Sequence, residues 1–290
     1  MSIQSAIEWT DATWNPVTGC TEVSPGCDHC YARTFAERWR GIKGHHFEQG
    51  FDLKLWPERM QLPLKWKKPR RIFVNSMSDL FHRDVPDDFV LEVFTTMAQA
   101  NWHTFQVLTK RPSRLVHLVS RISDCLNKAG MPQSPWPMNI WIGVSVETMQ
   151  YKWRVDQLRK VPAAIRFISA EPLLGSLRGL DLTGIDWLIT GGESGSGFRA
   201  CDPTWIKELR DCCTGDGIAF FFKQWGGRTP TTGGRLLDGR TWDEFPEPLA
   251  KHHSAVQNPS VSGQSQFQYV SVMPSWNIQP AILCEEEYVQ

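Results

Sequence analysis

The chain has 290 residues, 41% hydrophobic and 21% charged, with 14 tryptophans, eight cysteines and a formal net charge of zero. This composition suits a globular chain able to bury a large core and excludes a disordered or fibrous one. No run reaches the ~20 apolar residues a membrane span needs, and the N-terminus "MSIQSAIEWTDATW" lacks the basic and apolar regions of a secretory leader, so a cytoplasmic setting with no membrane partner is expected.

In chain order, a first strand is expected around "ATWNPVTG" (12–19), followed at once by Cys20, Cys27 and Cys30 and then by a helix at "YARTFAERWR". From Arg33 to Arg71 eleven Lys/Arg face four acids, a net +7, and the part over 54–71, "LWPERMQLPLKWKKPRR" with its flank, interleaves Trp56 and Trp66. A basic, Trp-bearing segment is a candidate contact for a nucleic-acid backbone, and equally a solvated surface leading into a strand. Short β-branched and aromatic runs then read as buried strands at 71–76, 104–110, 139–146, 165–171, 186–192 and 218–224. Helical stretches separate most of them: 86–100, opened by Pro86 and two aspartates; 111–130, closed by Gly130; 149–161, stopped by Pro162; and 202–213, with an Asp-Pro start. The link 171–186 is too short for a long helix.

Strand–helix alternation with six or seven strands implies a parallel sheet, either an incomplete (β/α) barrel or a doubly wound sheet. Both place functional loops at the carboxyl ends of the strands. Those ends are polar throughout: Asn75, Ser76 and Asp79; Lys110; Ser145 and Glu147; Glu171; Gly191, Gly192 and Glu193; Lys223 and Gln224. After about Phe222 the pattern decays into the turn-rich 226–246, a hairpin-like closure. The folded domain is expected over 1–250, with 251–290 a poorly ordered tail; from Asp243 to the last residue the net charge is −5.

The three cysteines are spaced C-x6-C-x2-C, with "SPG" turning the chain before Cys27. In a reducing compartment such a cluster binds metal or reacts more often than it forms a disulfide. A structural zinc site needs four closed ligands. Here His29 is poorly placed to join its neighbours on one ion, and the remaining cysteines lie far along the chain. Three thiolates with one open metal position are the arrangement of a reactive cluster; zinc and unbound cysteines remain open on spacing alone.

Three cysteines in the loop after the first strand of a β/α chain resemble the radical S-adenosylmethionine (SAM) enzymes. Their usual pattern, C-x3-C-x-aromatic-C, is kept here at Cys27, His29 and Cys30, whereas the first spacing is six residues instead of three. A closer resemblance runs over roughly 6–245 through "EWTDATWNPVTGC", "GCDHCYA", "FVNSMSDLFH", "QVLTKRP", "IWIGVSVE", "RFISAEPLLG", "DWLITGGESG" and "FFFKQWGG". These blocks look like a phage and prophage radical-SAM-like family of unassigned function, some members encoded beside a three-Cys-motif partner protein. Several also resemble the spore photoproduct lyase group. The resemblance implies a partial (β/α) barrel and a [4Fe–4S] cluster held by Cys20, Cys27 and Cys30. SAM would complete that cluster and an electron donor would reduce it, and SAM would be cleaved to a 5′-deoxyadenosyl radical. It places His29 near the adenine, Asn75, Ser76 and Asp79 near the amino acid end of SAM, Ser145 and Glu147 near the ribose, and Gly191, Gly192 and Glu193 close to the ligand. Lys110, Glu171 and Lys223 are then candidates for substrate contact or buried ion pairs. The alternative is a non-enzymatic zinc- or cluster-binding phage protein that binds nucleic acid.

Overall fold

The computed structural model describes residues 5–132 and 135–246; the tail expected at 251–290 lies outside the described residues. The elements are β1 (Ala12–Trp14), β2 (Val17–Thr18), α1 (Tyr31–Glu37), β3 (Lys54–Leu55), α2 (Leu62–Lys65), β4 (Arg71–Val74), α3 (Asp87–Gln99), β5 (Thr104–Thr109) and α4 (Pro112–Lys128). There follow β6 (Ile140–Ser145), α5 (Trp153–Leu158), β7 (Ile165–Ala170), β8 (Trp187–Gly191), α6 (Pro203–Asp216) and β9 (Ala219–Gln224). Seven strands form one sheet in the order β1-β4-β5-β6-β7-β8-β9, and every neighbouring pair is parallel.

That order decides between the two expected architectures. Right-handed crossovers taken always in one direction put every helix on one face of the sheet. A doubly wound sheet needs a point where the order reverses, and these seven strands have none. The fold is a partial (β/α) barrel.

The strands are apolar on both faces because both are covered. Ile72 and Val74 of β4, Val107 of β5, Ile142 and Val144 of β6 and Phe220 and Phe222 of β9 pack with the helices. Their alternates Phe73, Trp141, Phe167, Trp187 and Phe221 point the other way and form a second cluster inside the barrel with Trp9. Gly143 of β6 lies under the Phe167 ring, where a Cβ would collide with it. Ring pairs such as Trp141–Trp187, at 5.9 Å and 81°, fill this interior edge-to-face. Outside, Asp87 and Asp88 open α3 and bind Arg114 and Arg121 of α4. Asp202 caps α6 by accepting from the Thr204 amide at 2.8 Å.

Three local expectations are corrected. The first strand is split: Pro16 cannot donate to a ladder, so β1 joins the large sheet while β2 turns away to pair antiparallel with β3. The helix expected over 149–161 becomes a 3-10 turn at Met149–Tyr151 followed by the short α5. Among the described residues the closing segment keeps only one hairpin bridge, Leu237 antiparallel to Arg240, and beyond it lays residues 242–244 antiparallel along β9, through Phe222 N to Trp242 O (2.9 Å) and Glu244 N to Phe220 O (3.2 Å), which covers that sheet edge.

Candidate active site

The carboxyl ends of the strands open on a cavity of about 510 Å³. Cys20, Cys27, Cys30 and His29 line one side, on the loop between β2 and α1. Across from them the wall takes Asn75, Ser76 and Asp79 after β4, Lys110 after β5, Ser145 at the end of β6, Glu171 after β7, Gly192 and Glu193 after β8, and Lys223 of β9. Thirteen of the fifteen residues singled out from the sequence therefore share one cavity. Glu147 and Gly191 are off its wall.

Glu147 is fully buried under the cysteine loop. Ser24 Oγ donates to its Oε1 at 2.7 Å. Arg154 Nη1, equally buried, donates at 2.9 Å to Oε2 and at 2.9 Å to the Ser145 carbonyl. Lys110 Nζ stands 3.6 Å from Oε1 and donates to Ser145 Oγ at 3.2 Å. Gly26 crosses directly over this carboxylate, and a Cβ there would sit 2.5 Å from Glu147 Oε1. The glycine of "SPG" serves close approach, with a carboxylate as the floor.

A second set of contacts holds the loop from the β8 side. Glu193 accepts from His29 Nδ1 (3.0 Å), from the Arg199 amide (2.8 Å) and from its guanidinium (2.5 and 2.9 Å). Arg199 also donates to the Pro25 carbonyl (2.8 Å) and to Asp28 (3.1 Å). Burial works to raise the Glu193 carboxyl, but the hydrogen bonds from Arg199 and His29 outweigh it and hold the group down at about 2. A depressed carboxyl contributes stability that is complete above its unfolded value and lost as pH falls through the folded one. The stability difference between the native chain and Glu193→Gln is expected to be constant above about pH 4.5 and to vanish as pH approaches 2. Denaturant titrations of both chains at stepped pH check this; a difference that persists at the acid end contradicts it.

The remaining wall residues divide by how fully they are used. The Asp79 carboxylate accepts from the Phe81 and Lys110 amides and from Thr109 Oγ1, so it pins the β4 and β5 ends together. Asn75 adopts a left-handed φ of 60° and accepts from the Val17 amide at 3.3 Å, while its Nδ2 is buried without a partner. Gln224 of β9 likewise keeps a buried Oε1 without a partner. Ser76 takes the Tyr31 hydroxyl on its carbonyl at 2.5 Å. Glu171 and Lys223 form an ion pair at 3.1 Å inside the cavity. Burial, reinforced by the Asp79 charge, pushes the Cys20 thiol up to about 11 against the opposing pull of Arg111, which makes it a poor free nucleophile at neutral pH.

The donor chemistry is that of an iron–sulfur cluster: three thiols from one loop share a cavity wall to which no other cysteine among the described residues contributes. Across it stand an unmet donor on Asn75 and an unmet acceptor on Gln224. Among the described residues no three His, Cys, Asp or Glu groups, these thiols included, are gathered closely enough to hold a metal ion as they stand. Ser24, Gly26, Arg154 and Arg199 were not expected; only the "SPG" turn and the polar strand ends hinted at what holds the loop.

A family model described as "Protein of unknown function (DUF5131)" matches residues 4–246. The chain belongs to the DUF5131 family. No curated protein matches this DUF5131 sequence. Among solved structures it is similar to a spore photoproduct lyase complexed with dinucleoside spore photoproduct, at TM-score 0.40 and 12% identity over 61% of this chain and 54% of that one. A mutant of that lyase with bound AdoMet and dinucleoside spore photoproduct is similar at TM-score 0.39 and 12% identity, over 62% and 55%. The DUF5131 chain thus spans about half the length of the solved structures it matches. Among the described residues, no helix is long and apolar enough to cross a membrane.

Proposed function

We propose that this chain is a radical SAM enzyme whose reaction chamber is the cavity at the mouth of the partial barrel. The observation that carries the reading is that Cys20, Cys27 and Cys30 line that cavity together, facing polar residues from six strand ends. These thiols would hold a [4Fe–4S] cluster, and SAM would lie across the cavity toward Asn75 and Ser145. Bound there, such a cluster supplies the single electron for reductive cleavage of SAM. The residues of this chain bind and enclose: Glu147 and Arg199 keep the loop over the cavity, the Phe73 and Leu108 side chains give it an apolar floor, and the Glu171–Lys223 pair offers both charges to a substrate. An external electron donor is required, and a three-Cys-motif protein remains a candidate partner.

Anaerobic reconstitution with iron and sulfide, followed by dithionite and SAM, tests the proposal. Iron and sulfide in equal amounts, a charge-transfer absorbance and 5′-deoxyadenosine are expected. Stoichiometric zinc without iron, or a cluster that never cleaves SAM, defeats the reading.

A further inference from the structure

The face beside the cysteine loop carries exposed rings in a regular row. Tyr31 and Phe35 lie one turn apart on α1 and Trp39 continues that spacing, so the three rings share one side. They are 57%, 44% and 36% exposed. The row continues by ring contact: Phe35 to Trp39 at 6.4 Å, Trp39 stacked on His45 at 4.0 Å and 16°, and Phe35 on Phe47 at 5.6 Å. Phe47 is itself buried, and behind the exposed rings the contacts pass from it to His46 at 4.4 Å and on to Trp56 at 4.2 Å. Lys54 Nζ and the Arg59 guanidinium cover Trp56 at 4.1 and 4.3 Å. At the upper end Tyr31 and Arg33 also line the cavity.

Charge adds a second, independent feature. Residues 33–59, which hold this row, carry six Lys/Arg against four acids, a net +2. Three of its four acids are already engaged: Glu37 and Asp52 bind Arg40 at 2.6 and 2.9 Å, and Glu48 accepts from the Gly44 amide at 2.9 Å. Arg38 and Lys43 are exposed and make no ion pair among the described residues. Rows of accessible rings interleaved with unspent cations suit a polyanion that offers flat faces, which is a nucleic acid with unstacked bases.

We propose that the face built by Tyr31, Phe35, Trp39, Arg38 and Lys43 is a stacking platform for a single-stranded polynucleotide leading into the cavity. This deepens the radical SAM reading by naming its substrate class, and it moves the nucleic-acid contact away from Lys65, Lys67 and Lys68. Lys65, Lys67 and Lys68 lie at the opposite end of the barrel, where Pro63 O and Trp66 O meet His103 and Trp102 just before β5. A duplex hides its base faces and should bind less well.

The test uses the full chain as purified, without cluster or SAM, so it can succeed or fail whatever becomes of the redox chemistry. Binding of a short fluorescein-labelled oligodeoxythymidylate is followed by anisotropy across a range of KCl. Trp39→Ala is expected to weaken binding roughly 5- to 150-fold, the loss of about one base–aromatic stack, and Trp39→Phe to restore most of it. Arg38→Gln with Lys43→Gln should lower the slope of log affinity against log salt by about 1.4, near 0.7 per cation. Neutralising Lys65, Lys67 and Lys68 together should cost less than Trp39→Ala alone. Three outcomes overturn the proposal: no oligonucleotide binding, preference for duplex, or binding indifferent to Trp39. So does capture of an acidic redox protein by the same residues in place of the oligonucleotide.

Discussion

Replacing Cys27 with alanine is expected to leave a folded chain that retains background iron after anaerobic reconstitution and releases no 5′-deoxyadenosine. The same holds for Cys20→Ala and Cys30→Ala, whereas Cys212→Ala should behave as the native chain. The contrast follows from position. Cys20, Cys27 and Cys30 stand half-buried on one cavity wall, while Cys212 is exposed on α6 and contributes nothing to that wall. Three thiols provide no redundancy: among the described residues no other cysteine lines the cavity to replace a lost one. Because the cysteine side chains are partly accessible and take little part in the helix–sheet core, their removal should shift the urea midpoint only slightly. Loss of iron without loss of fold therefore reports ligation. If the three variants hold as much iron as the native chain, or if Cys212→Ala loses as much as they do, these thiols are not the ligands.

Much of this arrangement is legible in the amino-acid sequence because the strands are apolar on both faces. A run such as Ile72-Phe73-Val74 has to be covered above and below, and its polar successor Asn75 has to leave the sheet. That logic repeats at every strand and places a polar rim before any coordinates are seen. Strand order is different. It depends on which crossover lies beside which, and "IWIGVSVE" reads the same in a barrel as in a doubly wound sheet. The roles on the rim are equally hidden, because a carboxylate after a strand looks like a ligand contact whether it faces a cavity or a neighbouring loop. Glu147 is met by Ser24, 123 positions earlier in the chain, and nothing local announces that pairing. The basic stretch misleads in the opposite sense: neighbours in sequence, Lys54 and Lys68 end at opposite ends of the barrel, because the chain descends through α2 to the start of β4 between them.

Glu147 is expected to govern how firmly the cysteine loop is seated. Glu147→Ala leaves Arg154 buried with no counter-charge, and breaking a buried pair from one side costs about 3–5 kcal/mol, read as a lowered urea midpoint. Ser24→Ala removes one hydrogen bond to a charged acceptor, about 1.5–3 kcal/mol, and touches neither Arg154 nor the strands. Gly26→Ala attacks the same contact from above, since its Cβ would have to displace the carboxylate or lift the loop. A merely structural role would make these variants differ only in stability. A positioning role requires more: Ser24→Ala and Gly26→Ala should speed the reaction of Cys27 with a thiol reagent and reduce iron retention, by roughly 10- to 100-fold in affinity if they act as ligand-orienting partners do. Combining Ser24→Ala with Glu147→Gln should add little to the worse single variant, because both act on one contact. Lys110→Met, which removes the more distant 3.6 Å charge, should have a smaller effect on Cys27 than either. Additive losses, or Cys27 reactivity unchanged in Ser24→Ala and Gly26→Ala, would show that the carboxylate supports the barrel and not the loop above it.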